Sequence, residues 1–160
     1  MAQVLVIYDS MYGNTGMIAK AMADALAEGA SVETMRIGDV SPQALGSADL
    51  VIVGSPTQGF RPTKPVMDWL KRVGASGLRG TRVAAFDTRI VLSKIKSGGL
   101  RWMINAGGYA APRIARDLTK AGGTLVLSPE GFFVEDTEGP LKAGELERAA
   151  GWARSVMHAG

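Results

Sequence analysis

Ser10, Tyr12, Asn14 and Thr15 bring side-chain hydrogen-bonding groups close together, and Gly13 among them lets the backbone turn tightly. Hydroxyls, a carboxamide and loop amides can surround a phosphate with no Lys or Arg in the loop. They do so best where a helix begins, because its first N–H groups are unpaired and carry about half a positive charge. The loop is not Walker A, since no Gly-Lys-Ser/Thr follows, and it is not Gly-x-Gly-x-x-Gly, which disfavours a dinucleotide. Ser and Asn also cap many ordinary helices, so the loop alone leaves a phosphate site and a bare cap both open.

The flanking elements fit an anion site. Val4-Leu5-Val6-Ile7 reads as a strand buried on both faces, and the run from Met17 to Leu26 is rich in helix formers, with Ala19, Met22, Ala23 and Leu26 inward. The pattern then predicts a strand over 31–37, a short helix over 39–45 with Pro42 in its first turn, and a strand over 50–53. A turn-rich loop over 54–62 leads to a helix over 63–73 and a strand over 82–87. The stretch 88–111 carries Arg89, Lys94, Lys96, Arg101, Trp102 and Tyr109, and connections of that length are often functional. A helix over 112–121 and a strand over 124–127 follow, with 132–134 continuing the strand beyond a kink at Pro129. The last helix is expected over 142–157, burying Leu146, Ala149, Trp152 and Val156.

Alternating strands and helices with apolar strands imply a parallel sheet covered on both faces. The expected fold is an α/β doubly wound, five-stranded parallel sheet of order 2-1-3-4-5, in one domain over residues 1–160. In that order the loops after the first, third and fourth strands converge at the switch point, where ligands bind.

Composition removes several alternatives. The chain has 160 residues, 46% apolar, with a net charge of +3 and no cysteine, so thiol catalysis and disulfides are excluded. Its basic residues are spread out, which disfavours nucleic acid. No apolar run is long enough to span a membrane, and the chain enters a strand with no secretory leader pattern, so a cytoplasmic location is expected. A Ser nucleophile would need a His, and His158 stands alone near the chain end. No clustered His and carboxylates suggest a metal, and no catalytic residue is assigned. A phosphoryl-receiver reading fails because Asp9 is the one acid beside the first loop and the third strand ends in Gly54-Ser55.

Two loops, residues 10–15 and Gly54-Ser55-Pro56-Thr57-Gln58-Gly59, together resemble the phosphate and flavin loops of the flavodoxin superfamily, in the right order and spacing. Residues 10–13 are also similar to the loop of flavodoxin-like NAD(P)H:quinone oxidoreductases. The resemblance covers nearly the whole chain and implies FMN. Strand 5 lacks the insertion of long-chain flavodoxins. Carried over by position, Ser10, Met11, Tyr12, Gly13, Asn14 and Thr15 would hold the phosphate. Pro56, Thr57, Gln58, Gly59 and Phe60 would line the isoalloxazine, and Thr88 and Arg89 would reach its pyrimidine edge. Phe60 would cover one ring face, and Tyr109 or Trp102 the other. Asp87-Thr88-Arg89 stands where the family commonly has Gly and an aromatic residue. Arg89 is expected to act as a cation beside the flavin, and Gly59 to sit at negative φ before reduction. The implied function is an FMN-binding electron carrier serving a redox partner protein, as a monomer or weak oligomer. The alternative is an FMN-dependent NAD(P)H:quinone-type oxidoreductase.

Overall fold

The computed structural model describes residues 1–91, 98, 99 and 108–159. Trp102, Lys94, Lys96 and Arg101 lie outside them. The elements are β1 (Ala2–Tyr8), α1 (Asn14–Leu26), β2 (Ala30–Arg36), a 3₁₀ turn (Ile37–Asp39), α2 (Pro42–Gly46) and β3 (Leu50–Pro56). They continue with α3 (Lys64–Val73), β4 (Arg82–Ile90), α4 (Ala110–Lys120), β5 (Thr124–Leu125), β6 (Glu130–Val134) and α5 (Glu145–His158).

The strand order is β2-β1-β3-β4-β5, all parallel, as expected for the doubly wound sheet. β6 also pairs parallel with β4, higher along the same strand. β5 and β6 are thus one strand position interrupted around Pro129, where a missing N–H breaks the ladder.

The central strands are apolar on both sides because both faces are covered. Val4, Val6, Leu50, Ile52, Ala84 and Phe86 point to a core closed by α1 and α5. Leu5, Ile7, Val51, Val53, Val83 and Ala85 point to the opposite core, closed by α3 and α4. Trp69 and Trp152 are buried in these two cores. In the first, the rings of Phe86, Phe132 and Trp152 meet edge to face, with centroids 6.1 to 6.4 Å apart. Gly54 lies opposite Phe86 across the β3–β4 ladder, and a Cβ there would overlap the Phe86 ring. Glycine at this point lets the aromatic ring fill the core directly under the ligand end of the sheet.

Two expectations change. The last helix begins at Glu145, after Gly144 at φ 88°, and Leu146 is exposed. Glu145 takes the buried place instead: its carboxylate accepts the Phe133 amide at 2.8 Å and the Arg148 guanidinium at 2.7 Å. β3 and β4 also run three residues past the strands expected over 50–53 and 82–87, to Pro56 and Ile90. Residues expected in loops therefore stand on strand ends.

Candidate functional site

The loops after β1, β3 and β4 converge at the carboxyl end of the sheet. They enclose a small cleft of about 90 Å³, lined by Ser10, Met11, Tyr12, Asn14, Thr15, Pro56, Thr57, Gln58, Thr88 and Arg89, joined by Ile90, Val134 and Thr137. Of the sequence-nominated residues, Gly13, Gly59 and Phe60 fall outside this lining. The last three lining residues had a readable signal only in part. Ile90 follows from extending β4, whereas Thr137 arrives through the chain after β6, which no motif marked.

The first loop is built around Ser10. Its Oγ accepts the amides of Gly13 at 3.1 Å and Gly16 at 3.4 Å. Both bonds use the hydroxyl oxygen, so its O–H is left to donate. Gly13, at φ 93°, is the N-cap of α1 and makes no side-chain cap. The amides of Asn14 and Thr15, first in the helix, have no carbonyl one turn earlier to pair with. Asn14 instead spends its Nδ2 on the carbonyl of Glu138 at 3.2 Å, tying the loop to the segment after β6.

Behind the loop, Asp9 fixes the backbone. It accepts the Ser10 amide at 2.9 Å and the Thr63 hydroxyl at 2.5 Å, while Arg36 donates to the Ser10 carbonyl at 2.9 Å. Asp9 is buried and is not among the lining residues.

Thr15 and Thr88 close the floor. Their hydroxyls lie 2.8 Å apart, both buried. Whichever donates, one hydroxyl hydrogen of the pair remains for a ligand. Among the described residues no carboxylate lines the cleft. Two free O–H donors, a helix N-terminus and no opposing anion suit a phosphate.

The β3 loop is a tight turn. Gln58 and Arg61 exchange backbone hydrogen bonds at 2.8 and 3.1 Å, and Gly59 and Phe60 between them have φ of 54° and 68°. This corrects the expectation of a negative φ at Gly59. Two consecutive positive φ values satisfy the reciprocal bonds of such a turn, and the second falls on a residue with a Cβ. The Thr57 amide donates to the Thr88 carbonyl at 2.9 Å, and Thr57 Oγ1 accepts the Ala110 amide at 3.1 Å. The turn is therefore hung on β4 and on the start of α4.

Arg89 is not the free cation expected from the sequence. Its Nε and Nη2 each lie 2.7 Å from an oxygen of Asp87, which also accepts the Ala111 amide at 2.8 Å. The guanidinium stacks on Tyr109, 3.5 Å from the ring centre, and lies where a Cβ on Gly131 would fall. Tyr109 is thereby committed to Arg89. The Asp87 carboxyl is fully buried, and burial pushes its pKa up, against the opposing pull of Arg89 and the Ala111 amide.

With this geometry in view, similarity becomes informative. The flavodoxin family profile matches residues 6–88, which span the β1 loop, the β3 loop and Thr88. The chain belongs to the flavodoxin family. Diflavin flavoprotein A 4 of Synechocystis sp. is 33% identical over 127 residues, covering 70% of this chain and 20% of that protein. An NAD(P)H dehydrogenase (quinone) of Cupriavidus metallidurans is 30% identical over 101 residues, covering 50% of this chain and 51% of that enzyme. The chain thus matches about a fifth of the first relative and about half of the second. The crystal structure of oxidised flavodoxin 1 from Bacillus cereus superposes with a TM-score of 0.77 over 98% of this chain and 97% of that one, at 19% identity, which shows a shared fold. The flavodoxin match ends at Thr88, so the Asp87–Arg89–Tyr109 arrangement lies at and beyond its edge.

Proposed function

We propose that this flavodoxin-family chain holds FMN at the carboxyl end of its sheet and passes electrons to a redox partner protein. The observation that carries the reading is the cradle made by Ser10, Thr15, Thr88 and the start of α1. It offers hydroxyl and amide donors in a cleft free of carboxylates among the described residues. Ser10, Met11, Tyr12, Gly13, Asn14 and Thr15 would hold the phosphate. Pro56, Thr57, Gln58, Gly59 and Phe60, with Thr88 and Arg89, would border the ring system. Bound FMN would supply reversible electron acceptance and release.

The chain's own part is positioning. Asp9 and Arg36 fix the first loop from behind, the Thr57–Thr88 backbone bond sets the gap between the two strand ends, and Asp87 holds Arg89 in place. Arg89 brings a compensated charge to the cleft wall, so the field on the flavin is weaker than that of a lone cation. Exposed Met11 and Tyr12 offer apolar surface beside the opening.

Titrating the flavin-free protein with FMN, riboflavin and FAD, followed by flavin fluorescence, tests the cofactor. FMN should bind best and riboflavin more weakly; preference for FAD would defeat the reading. The relatives named NAD(P)H dehydrogenase (quinone) favour a second reading, a hydride-accepting reductase. Mixing the FMN-loaded protein with NADH or NADPH without air separates the two. A carrier keeps its yellow colour, and rapid bleaching assigns it to the reductases.

A further inference from the structure

Between α3 and α4, on the sheet face opposite α1 and α5, runs an open groove of about 440 Å³. Lys71, Arg113, Arg116 and Lys120 line it, with Asp117 as the lone carboxylate among the described residues. Four positive charges against one negative make a local excess of three, equal to the net charge of the whole chain. The chain's basic excess is thus matched by this one groove.

These cations differ from those that brace the fold. Arg36, Arg89 and Arg148 are each drawn to carboxylates that belong to the architecture. Among the described residues, Lys71, Lys120 and Arg113 have no ion pair, and Arg116 approaches Asp117 only at 3.8 Å. Asp68, the nearest acid on α3, is already paired with Lys64 at 2.7 Å. Arg113 is half-buried, and its Nε is buried with no acceptor among the described residues. That unsatisfied N–H costs stability, and the half-exposed Arg113 keeps the outer nitrogens of its fork for a ligand. Carboxylates suit the guanidinium fork, which they engage through two parallel bonds.

The groove is not purely polar. Met67, Leu70 and Ala121 form apolar patches between the cations. An inorganic anion would leave these uncovered, as would a nucleic-acid backbone. A peptide that alternates acidic and apolar side chains covers both.

We propose that the α3–α4 groove is a docking site for an acidic, amphipathic segment of a partner protein. The proposal needs no cofactor and stands apart from the flavin reading. Position gives the site its use. Arg113 lies one helical turn beyond Ala110, whose amide is bonded to Thr57 in the wall of the cleft. An occupant of the groove would therefore start about one helical turn from the cleft wall, run away from it along α3 and α4, and leave its opening free.

The test uses a fluorescein-labelled peptide of alternating Glu and Leu, with anisotropy read at low and moderate salt. The peptide should bind the purified protein, and binding should fall as salt rises. The combined variant Arg113→Gln/Arg116→Gln/Lys120→Gln should bind at least about tenfold more weakly. Lys20→Gln, an exposed cation on α1, should bind as the parent does. Amide chemical-shift changes in the parent should map to residues 67–75 and 113–121, which decides the matter if the combined variant fails to fold. Absence of binding at low salt, equal loss in Lys20→Gln, or shifts mapping elsewhere would overturn the proposal. Displacement of the peptide by pyrophosphate or a single-stranded oligonucleotide at equal charge would overturn it too, by reassigning the groove to phosphates.

Discussion

Arg89→Gln should destabilise this protein by about 3–5 kcal/mol near neutral pH, the usual cost of stranding one partner of a buried ion pair. The structure explains why so short a change costs so much. Asp87 has no exposed side-chain surface, and among the described residues Arg89 supplies two of its three hydrogen bonds, each at 2.7 Å. Without Arg89, one amide bond from Ala111 remains among the described residues to offset the desolvation of a carboxylate. With a urea slope of roughly 2 kcal/mol/M, the unfolding midpoint should fall by about 1.5–2.5 M.

The loss should depend on pH in a definite direction. Burial already raises the Asp87 pKa, and Glu130 adds to the rise; Arg89, by hydrogen bond and charge, is the main force against it. Its removal lifts the folded pKa further above the unfolded value of about 3.9. Such a carboxyl contributes stability that is fully present below the unfolded pKa and lost as pH rises through the folded one. The gap between parent and variant should therefore close towards acid pH and widen as pH rises through the parent's folded pKa towards the variant's higher one. Removing both charges in Asp87→Asn/Arg89→Gln should cost clearly less than the sum of the single changes. A gap below about 1 kcal/mol that stays flat with pH would mean a solvated surface pair, and the reasoning would fail.

Thr15→Val should weaken FMN by about 1.5–3 kcal/mol, the scale of a hydrogen bond to a charged group, while riboflavin, which lacks the phosphate, barely responds. Equal losses for the two ligands in fluorescence titrations would move the phosphate elsewhere. Gly59→Ala has open space around its Cβ, so its cost should be purely conformational, roughly 1–2 kcal/mol for holding Ala at positive φ. It should appear as lower affinity for oxidised FMN or lower stability; a variant equal to the parent in both would show that the turn relaxes freely. Glu145 is the acid-sensitive counterpart. Burial works to raise its pKa, but the hydrogen bonds from Arg148 and the Phe133 amide, with the charges of Arg148 and Lys142, win and lower it. Its stability contribution is present above the unfolded value of about 4.3 and lost as pH falls through the depressed folded one, so Glu145→Gln should flatten that part of an acid titration followed by circular dichroism.

The sheet was legible because its strands are buried on both faces, which leaves continuous apolar runs such as 4–7 and 50–53 separated by turn formers. The interruption of the fifth strand position was legible from Pro129. The start of the last helix was not. Apolar spacing placed Leu146 in line with Ala149, Trp152 and Val156. The entry of that helix is instead set by Glu145 capping the Phe133 amide and gripping Arg148, a tertiary arrangement that periodicity does not encode. The paired state of Arg89 was missed for a different reason. Its signal was present, since residues two apart on a strand share a face, but the apolar pattern stops at Phe86, so the strand expected over 82–87 includes Asp87 and leaves Arg89 in a loop.

That missed extension changes how the site must work. Ser55 pairs with Asp87 and Pro56 with Thr88 in the β3–β4 ladder, so residues read as loop are held in register by the sheet. Thr88 meets Thr15 at 2.8 Å from a strand end, and Thr57 is tied to both β4 and α4. The hydroxyl floor of the cleft is therefore fixed by backbone pairing before any ligand arrives, and ordering it costs little on binding. The β3 turn differs: it hangs beyond the ladder, closed by the reciprocal Gln58–Arg61 bonds and carrying two positive φ values. A rigid floor beside a strained turn divides the labour of the site. In the proposed reading, affinity for the phosphate would rest on the floor, and adjustment to the ring system would fall to residues 58–61.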